Sequence, residues 1–232
     1  MKNILLGLFI IISIAQVSAQ KYGGGLEGGL VYSWLSTDSK KASTDGGRFS
    51  FVYGMFMDKN VAENFSFSTG INILETGGTI KYNESIKLNT IDGLYTLSEG
   101  SKVFYKLRYL ELPVSIKGKT KEIGYITYFA KVGASPMFAI KSRANVDGTV
   151  IDENAKAIED KNDMNIKDDI NWFNIGFHVG GGMEYSLGGT TSVIAEIQYT
   201  NNFLDITKDN EDYNNKVSVT DGMVVLKVGI KF

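Results

Sequence analysis

The sequence predicts an all-β chain: one eight-stranded antiparallel up-and-down β-barrel that crosses a membrane with its strands. Three observations predict it. Composition comes first, with 26 glycines, 13 phenylalanines, 12 tyrosines and only 2 prolines among 232 residues, a profile of strands and turns. Second, large apolar residues recur at every second position in eight separate segments, the period at which a strand sends side chains to opposite faces. Third, the connections alternate between short and long, as in barrels with tight turns on one rim and long loops on the other.

Residues 1–19 have the layout of a cleaved secretory signal, with Lys2, an apolar run from Ile4 to Ile14, and small residues at Val17, Ser18 and Ala19. The run is about 11 residues, well short of the roughly 20 that a transmembrane helix needs. Residues 20–232 then form a single barrel domain. The chain has no cysteine, which excludes disulfides, thiol-ligated metals and a lipidated N-terminus. A formal net charge of −2 gives no overall basic character for nucleic acid.

The eight segments follow in order. The first, Tyr22 to Leu35, sets Tyr22, Leu26, Leu30, Tyr32 and Trp34 against Gly23, Gly25, Glu27, Gly29 and Ser33. In the second, Arg48 to Met57, Phe49, Phe51, Tyr53, Met55 and Met57 oppose Arg48, Ser50 and Gly54. The third places Phe65, Phe67, Ile71 and Ile73 opposite Ser66, Ser68, Gly70 and Asn72. Leu110, Leu112, Val114 and Ile116 define the fourth, against Tyr109, Glu111, Ser115 and Lys117. Tyr128, Ala130, Val132, Ala134 and Phe138 define the fifth, against Lys131, Gly133 and Ser135. In the sixth, Phe173, Ile175, Phe177, Val179, Met183 and Tyr185 oppose Asn174, His178, Glu184 and four glycine-or-serine positions. Val193, Ala195, Ile197 and Tyr199 against Glu196 and Gln198 make the seventh, and Val224 to Phe232 against Lys227 and Lys231 the eighth. Long polar connections are expected at Ser36 to Gly47, Thr76 to Lys102, Lys141 to Asn171 and Leu204 to Val219.

Volume decides which face points inward. An eight-stranded barrel is only just wide enough for side chains to fill. Bulky residues from every strand would overfill it, whereas glycines leave room for a few long charged groups. Turned with the bulky face to lipid, the strands also place Tyr22, Phe65, Tyr128, Tyr185 and Phe232 at one membrane boundary and Trp34, Phe49, Phe138, Phe173 and Tyr199 at the other. Two aromatic girdles around an apolar band are the pattern of an outer-membrane barrel surrounded by lipid. The lumen then holds a structural polar network of Glu27, Arg48, Glu111, Lys131, His178, Glu184, Glu196 and Lys227. Because an isolated buried charge is costly, these groups should pair and plug the barrel.

The stretches YLELPVSIKGK from Tyr109, NIGFHVGGGMEYSL from Asn174 and the ending VVLKVGIKF resemble the outer-membrane β-barrel family of Bacteroidota, the PorT-like barrels of type IX secretion among them. The resemblance implies an eight-stranded barrel inserted by the outer-membrane assembly machinery, with the C-terminal aromatic Phe232 as its recognition signal. It carries no catalytic or binding residue with it.

Gly23, Gly25 and Gly28 satisfy G-x-G-x-x-G, but the fingerprint needs a preceding strand and a following helix, and neither is present; no cofactor is expected. His178 is the only histidine, and a mid-barrel position gives it no route to substrate. The acidic connections around 144–171 and 205–215 match no EF-hand spacing and read as solvated surface, with a short helix at Glu153 to Lys161. The expected role is a non-enzymatic outer-membrane component that docks a protein partner through its extracellular loops or rim, in secretion or envelope assembly. The alternatives are a narrow channel and, after it, a lipid- or cell-wall-modifying enzyme.

Overall fold

A computed structural model describes residues 22–152, 154–208 and 217–232. The signal read at 1–19 lies outside these residues, as does most of the second acidic connection. The described chain forms twelve strands: β1 (Tyr22–Ser36), β2 (Ala42–Ala62), β3 (Phe65–Tyr82), β4 (Ile86–Thr90), β5 (Gly93–Leu97), β6 (Lys102–Glu111), β7 (Val114–Lys119), β8 (Ile126–Ile151), β9 (Ala157–Asn165), β10 (Phe173–Gly188), β11 (Thr191–Asn202) and β12 (Thr220–Lys231). All named pairings are antiparallel, and the sheet closes on itself through β8 and β10, where Phe173 faces Phe138 and Tyr185 faces Ile126.

Twelve strands stand where eight segments were expected, for two reasons. The fourth segment is divided at Leu112–Pro113, because proline has no N–H to give the ladder. Its halves share neighbours: β6 and β7 both pair with β3 on one side and β8 on the other. The other three strands, β4, β5 and β9, lie in segments expected to be loops. The expected helix at Glu153 to Lys161 is replaced by β9, whose Ile158 pairs with Val150 of β8. Strands also run further than their lipid-facing cores, since β2 spans 21 residues and β8 spans 26.

The extra length forms a second packing region. Toward the end that carries Tyr22 and Phe232, the outward face is bulky and exposed: Leu30 is 53% exposed, Phe51 61% and Val228 64%. Toward the opposite end the bulky face turns inward. On β6, Val103, Tyr105, Leu107 and Tyr109 are all buried, while Lys102, Lys106 and Arg108 alternate with them. Leu74, Ile80 and Tyr82 of β3, Leu88 and Leu97 of the β4–β5 hairpin, and Val146 and Val150 of β8 join them in one core.

On β8 the change of face has a visible device. The ladder with β6 shifts between Arg108 and Tyr109, so that Arg108 faces Lys141 and Tyr109 faces Ala139, leaving Ile140 as the extra residue. A bulge of this kind exchanges the two faces of a strand. Phe138 and Ile140 point outward below it, and Lys141 and Arg143 point outward above it. Gly77 allows the same region of β3 to come close: its φ is +145°, and a Cβ there would lie 2.0 Å from the Tyr105 carbonyl oxygen.

Candidate functional site

The interior of the lower region is built from the small-residue faces of the strands. Gly133 shows why those positions are small, because a Cβ there would meet the Val114 carbonyl at 2.0 Å and His178 at 2.9 Å. The space so made holds charged side chains in two groups, with a buried histidine beside them.

Nearest the end with the termini, Lys117 of β7 lies 2.9 Å from Asp58 of β2 and 2.5 Å from Glu184 of β10, and Lys231 of β12 lies 2.9 Å from Glu184 and 3.6 Å from Asp58. Next, Lys227 reaches Glu27 at 3.0 Å, and Lys131 reaches Glu196 at 2.7 Å. Asn72 donates 3.1 Å hydrogen bonds to both Glu27 and Glu111 and joins those two carboxylates. His178 is fully buried, with Nε2 2.7 Å from the Ser115 hydroxyl and Nδ1 3.0 Å from that of Ser135. The cavity left among Glu27, Asp58, Ser115, Lys117, Lys131 and Glu196 is 20 Å³, room for about one water.

Seven of the eight residues expected in the network therefore meet in the interior, and Arg48 does not join them. Its guanidinium donates to the Thr76 carbonyl at 2.8 Å and to Glu75 at 3.4 Å, and Glu75 is shared with Arg108 at 2.5 Å. Arg48 keeps the inward parity, opposite buried Ser33 of β1, but stands at the height of Glu75 and Thr76, beyond the network. Sequence reasoning missed Asp58, Lys117, Lys231 and Asn72 as network members. Asp58 shares the inward parity of Gly54 and Phe56, which was the available signal, but it sits where the second segment was ended.

Where the two regions meet, Asp221 is buried and accepts hydrogen bonds from Thr76 at 2.7 Å and from Asn202. Above it, the hydroxyls of Tyr82 and Tyr105 lie 2.6 Å apart, and burial pushes both phenols up from their ordinary range. Asp169, in the segment before β10, has its carboxyl raised to about 7 by burial. Among the described residues no group of three or more His, Cys, Asp or Glu is placed to hold a metal ion.

Outside, aromatic rings cluster at both expected boundaries. Tyr32 lies 4.9 Å from Phe49, Trp34 6.3 Å from Tyr199 and Phe138 5.5 Å from Phe173, with Trp172 stacked on Phe138 at 5.9 Å. At the other boundary Tyr125 meets Tyr185 at 6.3 Å, and Phe232, 60% exposed, closes the ladder with Gly24 through a 2.8 Å backbone bond.

A closed antiparallel sheet with charges inside, an apolar band outside and aromatic rings at both margins defines a β-barrel of the bacterial outer membrane. The chain belongs to the outer membrane protein beta-barrel domain family, whose profile matches residues 15–187. No curated protein matches it. Among solved structures it is similar to the outer membrane protein OprG from Pseudomonas aeruginosa, at 10% identity over 91% of this chain and 96% of that one, with a TM-score of 0.50. It also resembles the attachment invasion locus protein Ail of Yersinia pestis, at 11% identity over 92% and 100% of the two chains and a TM-score of 0.41. A further match is the outer membrane protease OmpT from Escherichia coli, at 9% identity over 92% and 96% and a TM-score of 0.43. At such identities the likeness to OprG speaks for the fold alone.

Proposed function

We propose that the protein is a non-enzymatic outer-membrane barrel whose lumen is closed by its own ion pairs and whose extracellular β-extension docks a protein partner, in the manner of a PorT-like component of secretion or envelope assembly. The observation that carries this is the pairing of charges inside the barrel. Lys117, Lys131 and Lys227 each lie within 3.0 Å of a carboxylate at side-chain exposures of 9% or less, and an apolar core continues above them. Counting β6 and β7 as two halves of one stave gives an eight-stave barrel, with β4, β5 and β9 added above it. A barrel of that size is filled by its own side chains.

Docking is supported by the extension. β4, β5 and β9 stand beyond the lipid-facing band, where a hairpin and an added strand give the loops of that rim a structured surface for a partner. Catalysis is disfavoured by the setting of His178, whose two nitrogens meet serine hydroxyls rather than a carboxylate. Phe232 serves in this reading as the signal read by the assembly machinery. Planar-bilayer recording of the purified barrel tests it: no steady single-channel current is expected, and large, lasting conductance steps would contradict the closed lumen.

A further inference from the structure

The outward wall formed by β3, β6 and β8 carries a second site. Along the register, Glu75 faces Arg108 and Arg108 faces Lys141; one step further from the belt, Gly77 faces Lys106 and Lys106 faces Arg143. Two cationic pairs are thus set directly opposite each other on adjacent strands, an arrangement that costs stability when nothing covers it. The carboxylates nearby do not balance it. Glu75 is divided between Arg48 and Arg108, and Asp163, itself mostly exposed, lies 3.8 Å from Arg143. Lys141 and Lys167 have no carboxylate partner among the described residues.

These cations surround a depression. Arg108, Lys141, Arg143 and Lys167, with Asn165 and Ile140, line an open hollow of about 340 Å³ on the outer wall. Its position decides what could fill it. The bulge that exposes Lys141 also exposes Ile140, 53% exposed, and immediately below lies the stacked cluster of Phe138, Trp172 and Phe173. The floor of the hollow therefore touches the outer margin of the apolar band, the level at which headgroups of the outer leaflet sit.

We infer that this hollow binds the phosphorylated headgroup of an outer-leaflet glycolipid, with the acyl chains lying along Ile140, Phe138 and Trp172. Arg143 presents a planar guanidinium to phosphate oxygens, while Arg108, held by Glu75 through Nε and Nη2, and Lys141 and Lys167 add positive charge around it. The ligand must be anionic to relieve the opposed cations, and it must be amphiphilic to occupy both the basic hollow and the greasy wall beneath it. An acidic soluble protein would satisfy the first condition only.

The test uses the full barrel in neutral detergent, with native mass spectrometry counting bound glycolipid. Diphosphorylated lipid A is the probe, and its dephosphorylated form and inorganic phosphate are the comparators. The wild type should retain one lipid A, and removing two charge-assisted contacts in the double variant Lys141→Gln/Arg143→Gln should weaken retention at least about tenfold. Lys59→Gln, at the opposite boundary, should retain it fully. Equal retention of the dephosphorylated lipid, displacement by millimolar phosphate alone, or wild-type retention by the double variant would each overturn the assignment. If the double variant does not fold, judged by its heat-modifiable migration, Lys167→Gln alone at the rim of the hollow gives the same reading.

Discussion

The barrel's two regions use the same strands with opposite polarity. In the lower region β3 presents Phe65, Phe67, Ile71 and Ile73 outward and Ser66, Ser68 and Asn72 inward; further along the same strand Leu74, Ile80 and Tyr82 are buried while Glu75, Thr79 and Lys81 face outward. The difference lies in the solvent. Hydrocarbon places no limit on the size of a side chain facing it and cannot solvate a charge, so the charges go inside and must find one another there. Water reverses both preferences, and the strands bury their apolar face as an ordinary soluble sheet does. The boundary runs through neighbouring strands in register, since Ile73, Leu110 and Phe138 form the last apolar row and Glu75, Arg108 and Lys141 the next.

Breaking the lower region should have the largest effect. Lys117→Met leaves Asp58 and Glu184 facing each other with only Lys231 between them, and removing one partner of a buried ion pair costs about 3–5 kcal/mol. Urea unfolding in phospholipid vesicles, followed by tryptophan fluorescence, should show that loss; an unchanged midpoint would mean the interior is wetter than its 20 Å³ cavity suggests. The outward faces should differ in the same assay. Leu226→Arg, in the middle of the belt, should cost about 2–4 kcal/mol, whereas Glu159→Arg, exposed on β9, should stay within about 0.5 kcal/mol. Equal costs at the two sites would erase the distinction between the regions.

The smallest effect is specific to the upper region. Burial raises the Asp169 carboxyl to about 7 in the folded chain, while an unfolded aspartate titrates near about 4. Between those values the folded state holds a proton that the unfolded state has lost, so the stability of the extension should fall as pH rises from about 4 to 7. Asp169→Asn should flatten that slope in hydrogen exchange of β4 and β5. A slope that persists in the variant would assign the titration to another group.

The lower region was legible in the sequence because lipid enforces period two without relief over eight segments. From that parity followed the direction of each face, both girdles and seven interior residues. Much of the upper region was hidden by the same rule. Val103, Tyr105, Leu107 and Tyr109 alternate as regularly as any lipid-facing run, but Phe104 shares the face of Lys102, Lys106 and Arg108, and the mixture reads as a polar connection. On β8 the face changes at Ile140 through a bulge, which no period can reveal. Parity also assigns a face without assigning a height. For that reason Arg48 was grouped with charges it does not touch, and the pairing of Lys117 with Asp58 and Glu184, from strands far apart in sequence, was not foreseen.

The most direct test of the inversion exploits the absence of cysteine, which lets single spin labels be placed without background. Nitroxides at positions 138, 140, 141, 143, 144 and 146 of β8, in bilayer-reconstituted protein, would be scored for collision with oxygen, which concentrates in lipid, and with a water-soluble nickel chelate. The prediction is oxygen-dominated contact at 138 and 140, chelate-dominated contact at 141 and 143, and neither at 144 and 146. Oxygen-dominated contact continuing through 143, or free chelate access at 144 and 146, would contradict the reversal of faces at the bulge.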